Sequence, residues 1–101
     1  MVEIKTNVND NIVYIGTKPF MNYVTSVVMQ FTTKNMSEVT IKARGKFITR
    51  AVDVAEVVKK KFLERQNIEI KEIKTNSEEF EDKAGRKVNV STIEITLTKG
   101  K

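Results

Sequence analysis

The sequence predicts an α+β fold, an α/β sandwich of order β-α-β-α-β-β: a four-stranded mixed sheet, two helices packed on it, and an extended β3–β4 hairpin arm. Three observations carry this. The apolar residues switch between a period near two and a period near 3.6 as the chain proceeds. The opening strand–helix–strand order calls for a parallel pair joined by a right-handed crossover. The length, 101 residues, suits one core, so residues 1–10 read as an N-terminal tail and residues 11–101 as a single domain.

Residues 11–15 are a short β-rich run that stops at Gly16. Pro19 then falls at the first helical position, where its fixed φ fits and its missing N–H had no partner anyway; Lys18 becomes the N-cap. Phe20, Val24, Val27, Val28 and Phe31 follow as an apolar stripe, placing the first helix at about residues 19–33. Val39, Ile41 and Ala43 alternate with Thr40, Lys42 and Arg44, a strand broken by Arg44-Gly45-Lys46. From Ile48 the period lengthens again, with Ala51, Val54, Ala55, Val58 and Phe62 on one stripe and Val57 and Leu63 beside it. Asp53 and Glu56 lie early in this second helix and Lys59, Lys60, Lys61 and Arg65 late, which suits the helix dipole.

The last third is strand. Ile68 and Ile70 alternate and Ile73 breaks phase; Val88 and Val90 alternate and give way to Ile93, Ile95 and Leu97. Each break moves the apolar set to the other face, as expected of a hairpin bulged or sharply twisted where it leaves the body. Residues 75–89 are polar apart from Phe80 and Val88, with a turn near Asp82-Lys83-Ala84-Gly85, and read as an arm extending past the core. The alternative is a longer surface loop.

Composition narrows the chemistry. There is no cysteine and no histidine, so disulfides, thiolate metal sites, thiol nucleophiles and the usual general base are excluded. Eighteen Lys+Arg against thirteen Asp+Glu leave a net charge of +5, which points to nucleic acid, an anionic membrane surface or an acidic protein, or simply to solubility. The longest uninterrupted apolar run, residues 12–15, is far shorter than a bilayer span, and the first residues lack a signal-peptide core. A reducing cytoplasm is the expected compartment, and neither a cofactor nor a metal is expected.

The placement of charge is more informative than its total. Lys42, Arg44, Lys46 and Arg50 occur with no acid between Val39 and Val52, and Lys42 and Arg44 share one strand face. Uncompensated cations repel one another, so an anionic partner accounts for them better than a solvated strand end. At Gly16-Thr17-Lys18-Pro19 a strand-to-helix turn leaves the N–H groups of Phe20 and Met21 open beside Lys18, an arrangement suited to phosphate, although no phosphate-loop motif occurs. Tyr23 lies off the main stripe, at the rim of the core. Lys59-Lys60-Lys61 reads as a solvated face, and Phe62 by periodicity as core. The arm carries Glu78, Glu79, Glu81 and Asp82, then Lys83, Arg86 and Lys87; its acids sit on an exposed tip and read as a solvated charge run.

Taken together, Ile15-Gly16-Thr17-Lys18-Pro19-Phe20-Met21-Asn22-Tyr23-Val24, Ile41-Lys42-Ala43-Arg44-Gly45-Lys46, Arg50-Ala51-Val52-Asp53 and Val90-Ser91-Thr92-Ile93-Glu94-Ile95 resemble the archaeal Alba family of small basic chromatin and RNA-binding proteins, from about Asn11 to Lys99. The resemblance implies a fold similar to the C-terminal domain of bacterial translation initiation factor three, in a homodimer that binds double-stranded DNA largely without sequence specificity, and RNA. It implies a central surface of Lys18, Asn22, Tyr23, Lys42, Arg44 and Lys46, with Arg86 and Lys87 on an arm that follows the minor groove. It also moves Phe62 from the core to a contact between dimers, through which DNA is coated or bridged. Two departures stand out. Thr17 occupies the place of a lysine that is an acetylation site in the family, and the arm is unusually acidic, which predicts weaker and more salt-sensitive binding.

The sequence therefore reads as a non-enzymatic, cytoplasmic and chromosome-associated nucleic-acid-binding protein, with no membrane and no small-molecule substrate. The alternatives are an RNA-binding subunit of a ribonuclease P-like complex, a small phosphate-processing enzyme using Arg44 and Asn22, and a scaffold assembled through Phe62.

Overall fold

The computed structural model describes residues 11–62 and 66–100, with the side chain of Phe62 outside that description. The tail of residues 1–10 and the proposed contact at Phe62 accordingly lie outside the described residues. Strand β1 (Ile12–Tyr14) leads into helix α1 (Phe20–Thr32), then strand β2 (Glu38–Arg44). A single 3-10 turn (Gly45–Phe47) joins β2 to helix α2 (Ile48–Phe62), and strands β3 (Ile68–Glu81) and β4 (Lys87–Lys99) close the fold. The sheet order is β1-β2-β4-β3; β1 and β2 run parallel and the other two pairs antiparallel.

Both helices lie on one face of this sheet. From α1, Tyr23, Val24, Val27 and Phe31 turn inward; from α2, Ala51, Val54, Ala55 and Val58 do so. They meet Val39, Ile41 and Ala43 of β2 and Ile93, Ile95 and Leu97 of β4. Strand alternation sends Lys42, Arg44, Thr92, Glu94 and Thr96 to the opposite, uncovered face. Thr40 Oγ1 and Thr96 Oγ1, 3.2 Å apart, form one of several polar links across that open face.

Helix α1 begins one residue later than the sequence suggests. Pro19, with ψ of 143°, is itself the N-cap, and Lys18 stands outside the helix. The reason is that an extended proline can precede a helix as readily as begin one, since its φ suits both. The dipole argument for α2 holds only at its C-terminus. Lys59, Lys60 and Lys61 fill the last turn, but the first turn has no acid, because the helix starts at Ile48 and Asp53 falls in its second turn.

The arm is a continuous hairpin, not a loop. Pairing runs from Ile68↔Lys99 to Glu81↔Lys87, whereas β2 stops pairing with β4 at Arg44↔Thr92. The paired strands beyond Thr92 therefore extend past the body. A register shift between Ile70 and Glu72 inserts Lys71 as an extra residue, which accounts for the phase change from Ile70 to Ile73. No register shift interrupts β4. Its phase change has another cause: past the helices no core dictates the inward face, so Val88 and Val90 lie on the open side with Phe80, which pairs with Val88. At the tip the Asp82 carboxylate accepts from Ala84 N–H and Arg86 N–H, both at 2.9 Å, and Gly85 takes φ +82°, a conformation that favours glycine.

Candidate nucleic-acid interface

Because β1 and β2 are parallel, their C-terminal ends lie side by side, and each feeds a helix through a short basic turn. The arm leaves the body at this same end of the sheet, as the last β2–β4 pair, Arg44↔Thr92, shows. One edge therefore gathers Lys18 from the first turn, Lys42 and Arg44 from the end of β2, Lys46 from the second turn, and the root of the arm. Gly45, at φ +60°, makes the sharp exit from β2 that places Lys46 there.

The first turn is held rigidly. Tyr23 is only 7% exposed, deeper than a rim position, and its hydroxyl accepts from Gly16 N–H at 3.0 Å and Lys18 N–H at 2.9 Å. Arg50 donates from Nη1 to the Lys18 carbonyl at 2.6 Å, tying the turn to the start of α2. The acid-free run Lys42, Arg44, Lys46, Arg50 thus has two jobs. Arg50 braces the loop, while the other three face solvent at the sheet end. No side chain caps α1, so the N–H groups of Phe20 and Met21 point out of the turn beside Lys18 and the exposed Asn22. The Asn22 N–H bonds back to the Pro19 carbonyl at 3.0 Å.

Lys42 and Arg44 are matched with carboxylates from the arm side of the sheet. Arg44 Nη1 lies 3.2 Å from Glu78 Oε1 and Lys42 Nζ lies 3.7 Å from Glu94 Oε2. Lys18 and Lys46 have no such partner among the described residues. The Arg44–Glu78 pair is well exposed on both sides, so it is worth little and can exchange for another anion. Of the four arm acids that sequence reading grouped together, only Glu78 reaches the body; Asp82 instead builds the tip turn and lies 3.9 Å from Arg86 Nε.

Arg86 and Lys87 are exposed but are not part of the central surface. Lys87 lies five residue steps along β4 from Thr92, a distance of roughly 17 Å at the rise of an antiparallel strand. These basic residues thus fall in two places, a body edge and a remote arm tip.

One prominent residue escaped the sequence reading. Tyr14 is 64% exposed on the uncovered side of β1, with Lys42 Nζ 5.9 Å from its ring centroid. The signal was present: Val13 and Ile15 point inward, so Tyr14 between them had to point out. It lines a cleft of about 490 Å³ with Lys42, Arg44, Glu78, Thr92 and Glu94. It also lines a second groove of about 420 Å³ with Lys18, Asn22, Tyr23 and Ser26.

Comparison with known proteins agrees with this architecture. The model of the family described as Alba matches residues 11–77. The DNA/RNA-binding protein Alba of Methanococcus maripaludis is 51% identical over 90 residues, covering 89% of this chain and 99% of that protein. That of Nanoarchaeum equitans is 57% identical over 88 residues, covering 86% and 96%. The solved structure of Alba from Thermoplasma volcanium superposes with a TM-score of 0.78 at 46% identity, over 88% of this chain and all of that one.

Proposed function

From the premise that this chain belongs to the Alba family, we propose that it is a non-enzymatic nucleic-acid-binding protein that coats double-stranded DNA, and RNA, as a homodimer through sequence-independent phosphate contacts. The observation that carries this reading is the convergence of Lys18, Lys42, Arg44 and Lys46 with the arm root at one end of the sheet. Relatives of similar length named DNA/RNA-binding proteins support it.

In this reading the rigid turn and the end of β2 present cations and open helix N–H groups to phosphates, which positions the protein without reading bases. Tyr23 and Arg50 act at one remove: they hold the Lys18 turn in place. Arg86 and Lys87 engage the backbone or groove farther along the duplex. Phosphate oxygens replace Glu78 on Arg44 as binding proceeds. The protein is chromosome-associated in the cell, and dimers meet one another on DNA through Phe62.

A fluorescence-anisotropy titration of unrelated duplexes at several salt concentrations tests the reading. If about five phosphates are neutralised per dimer, log K falls against log[salt] with a slope near −4 to −5. Arg44→Ala lowers affinity by about the same factor on every sequence and flattens that slope. Absence of binding at low salt, or a loss confined to one sequence, overturns it.

A further inference from the structure

We propose that Tyr14 is a stacking platform for one unpaired nucleobase, with the flanking phosphates held by Lys18 on one side and by Lys42 and Arg44 on the other. The inference rests on the nucleic-acid reading above and deepens it, adding a single-strand site to a duplex-coating surface.

The argument starts from exposure. Tyr14 is the most exposed of the large hydrophobic residues in the described fold, between Val13 and Ile15, which are both packed into the core. The core makes no use of that ring: its neighbours Val13 and Ile15 supply the packing. The ring meets the Lys42 ammonium over one face, which a stacked base would displace towards its phosphate. It stands at the sheet edge, on the ridge between two clefts, and lines both. One cleft holds Lys42 and Arg44; the other holds Lys18 and Asn22. A strand crossing the ridge meets cations on each side and one aromatic face between them.

The cations serve duplex phosphates as well as single-strand ones; the exposed ring between them fits a single strand and has no use on a duplex. Bases in a duplex are stacked on one another and offer no free face to an isolated ring, whereas an unpaired base does. Lys42, 5.9 Å from the ring centroid, lies near enough to touch a phosphate adjoining a base stacked there. The cleft is not purely basic. Glu94, beside Lys42, and Thr92 offer acceptors that suit the exocyclic amino group of a base, and Glu78 is the exchangeable partner of Arg44.

The test uses the full chain with a fluorescein-labelled 12-nucleotide RNA, a DNA of the same sequence, and the corresponding duplex, each titrated by anisotropy. Tyr14→Leu is expected to weaken single-strand binding by about 5- to 100-fold, the range one base–aromatic stack supplies, and to leave duplex binding within about twofold. Tyr14→Phe retains both. Intrinsic tyrosine fluorescence is quenched when unlabelled single strands bind the wild type, and the quench disappears in Tyr14→Leu, which keeps only the buried Tyr23. A loss with RNA alone, or with DNA alone, supports the site and names its ligand. Unchanged single-strand affinity in Tyr14→Leu overturns the inference while leaving the duplex reading intact, and so does an equal loss on duplex and single strand. A change in dimer mass by sedimentation also overturns it, because the ring then serves a second copy of the chain. Failure of the wild type to bind any of the three probes removes the general reading and this one together.

Discussion

The two halves of β4 show how differently one strand behaves with and without a core. From Ile93 to Leu97 alternate residues lock against two helices, and the register is fixed by what must be buried. From Val88 to Ser91 the same strand pairs with β3 alone, its apolar pair turns to the opposite side, and two of its four cross-strand partners, Glu78 and Glu79, are charged. In the body, packing decides the residue. In the arm little but hydrogen bonding constrains it, and sequence there is free to serve a partner.

Two phenylalanines offer the largest test of this contrast. Phe31 is almost fully buried between α1 and the sheet, whereas Phe80 pairs with Val88 on the arm and is nearly half exposed. Phe31→Ala is expected to destabilise the fold by about 3–5 kcal/mol, a large part of what a domain of this size has. Phe80→Ala is expected to cost about 1 kcal/mol or less. Urea unfolding of both variants measures this. A loss at Phe80 comparable to that at Phe31 breaks the comparison, because the arm would then be packed against something.

The next effect lies where body and site meet. Tyr23→Phe keeps the buried ring but removes the oxygen that receives the Gly16 and Lys18 N–H groups. A loss of about 1–2 kcal/mol is expected from two poorly paired donors. Hydrogen exchange at those two amides should speed up, with weaker nucleic-acid binding as the Lys18 turn loosens. Intact amide protection in the variant would show that the hydroxyl does not hold the turn.

What the sequence disclosed follows the same division. Periodicity made every helix and strand legible, because burial imposes it: the stripe Val24, Val27 and Phe31 and the alternation Val39, Ile41, Ala43 are direct records of the core. The arm was legible for the opposite reason, as paired strand without apolar alternation. The family resemblance placed the basic edge, but not the division of labour within it. Arg50 looked like a fourth member of a cation cluster, and only the tertiary fold brings it to the Lys18 carbonyl. Glu78 lies thirty-four residues from Arg44 and meets it through register across β4, which no local spacing reveals.

That pairing sets the third prediction. If Glu78 competes with phosphate for Arg44, Glu78→Gln raises duplex affinity by about two- to fivefold at low salt, the scale of one exposed ion pair. Glu79→Gln, on the other side of the same strand, removes an equal charge without freeing Arg44 and gives a smaller gain. Equal gains from the two variants would show that the arm acts through its general negative field and not through a specific contact.

The smallest effect belongs to the bulge that joins the two regions. Lys71, the inserted residue of β3, bonds to Glu38 of β2 across the open face. That hydrogen bond, helped by the charges of Glu38 and Glu72 and opposed by slight desolvation, holds its ammonium above the ordinary lysine value of 10.5. A base whose pKa is raised by folding contributes stability that is complete below its unfolded pKa and vanishes as pH climbs through the folded one. The stability difference between wild type and Lys71→Met is therefore expected to be small and constant from pH 6 to 9, and to shrink above pH 10.5. Duplex affinity in Lys71→Met should fall no further than the loss of one remote charge allows. A difference that widens with rising pH would mean that Lys71 is stabilised as the neutral amine, and that the bulge joins arm to body through packing instead of charge.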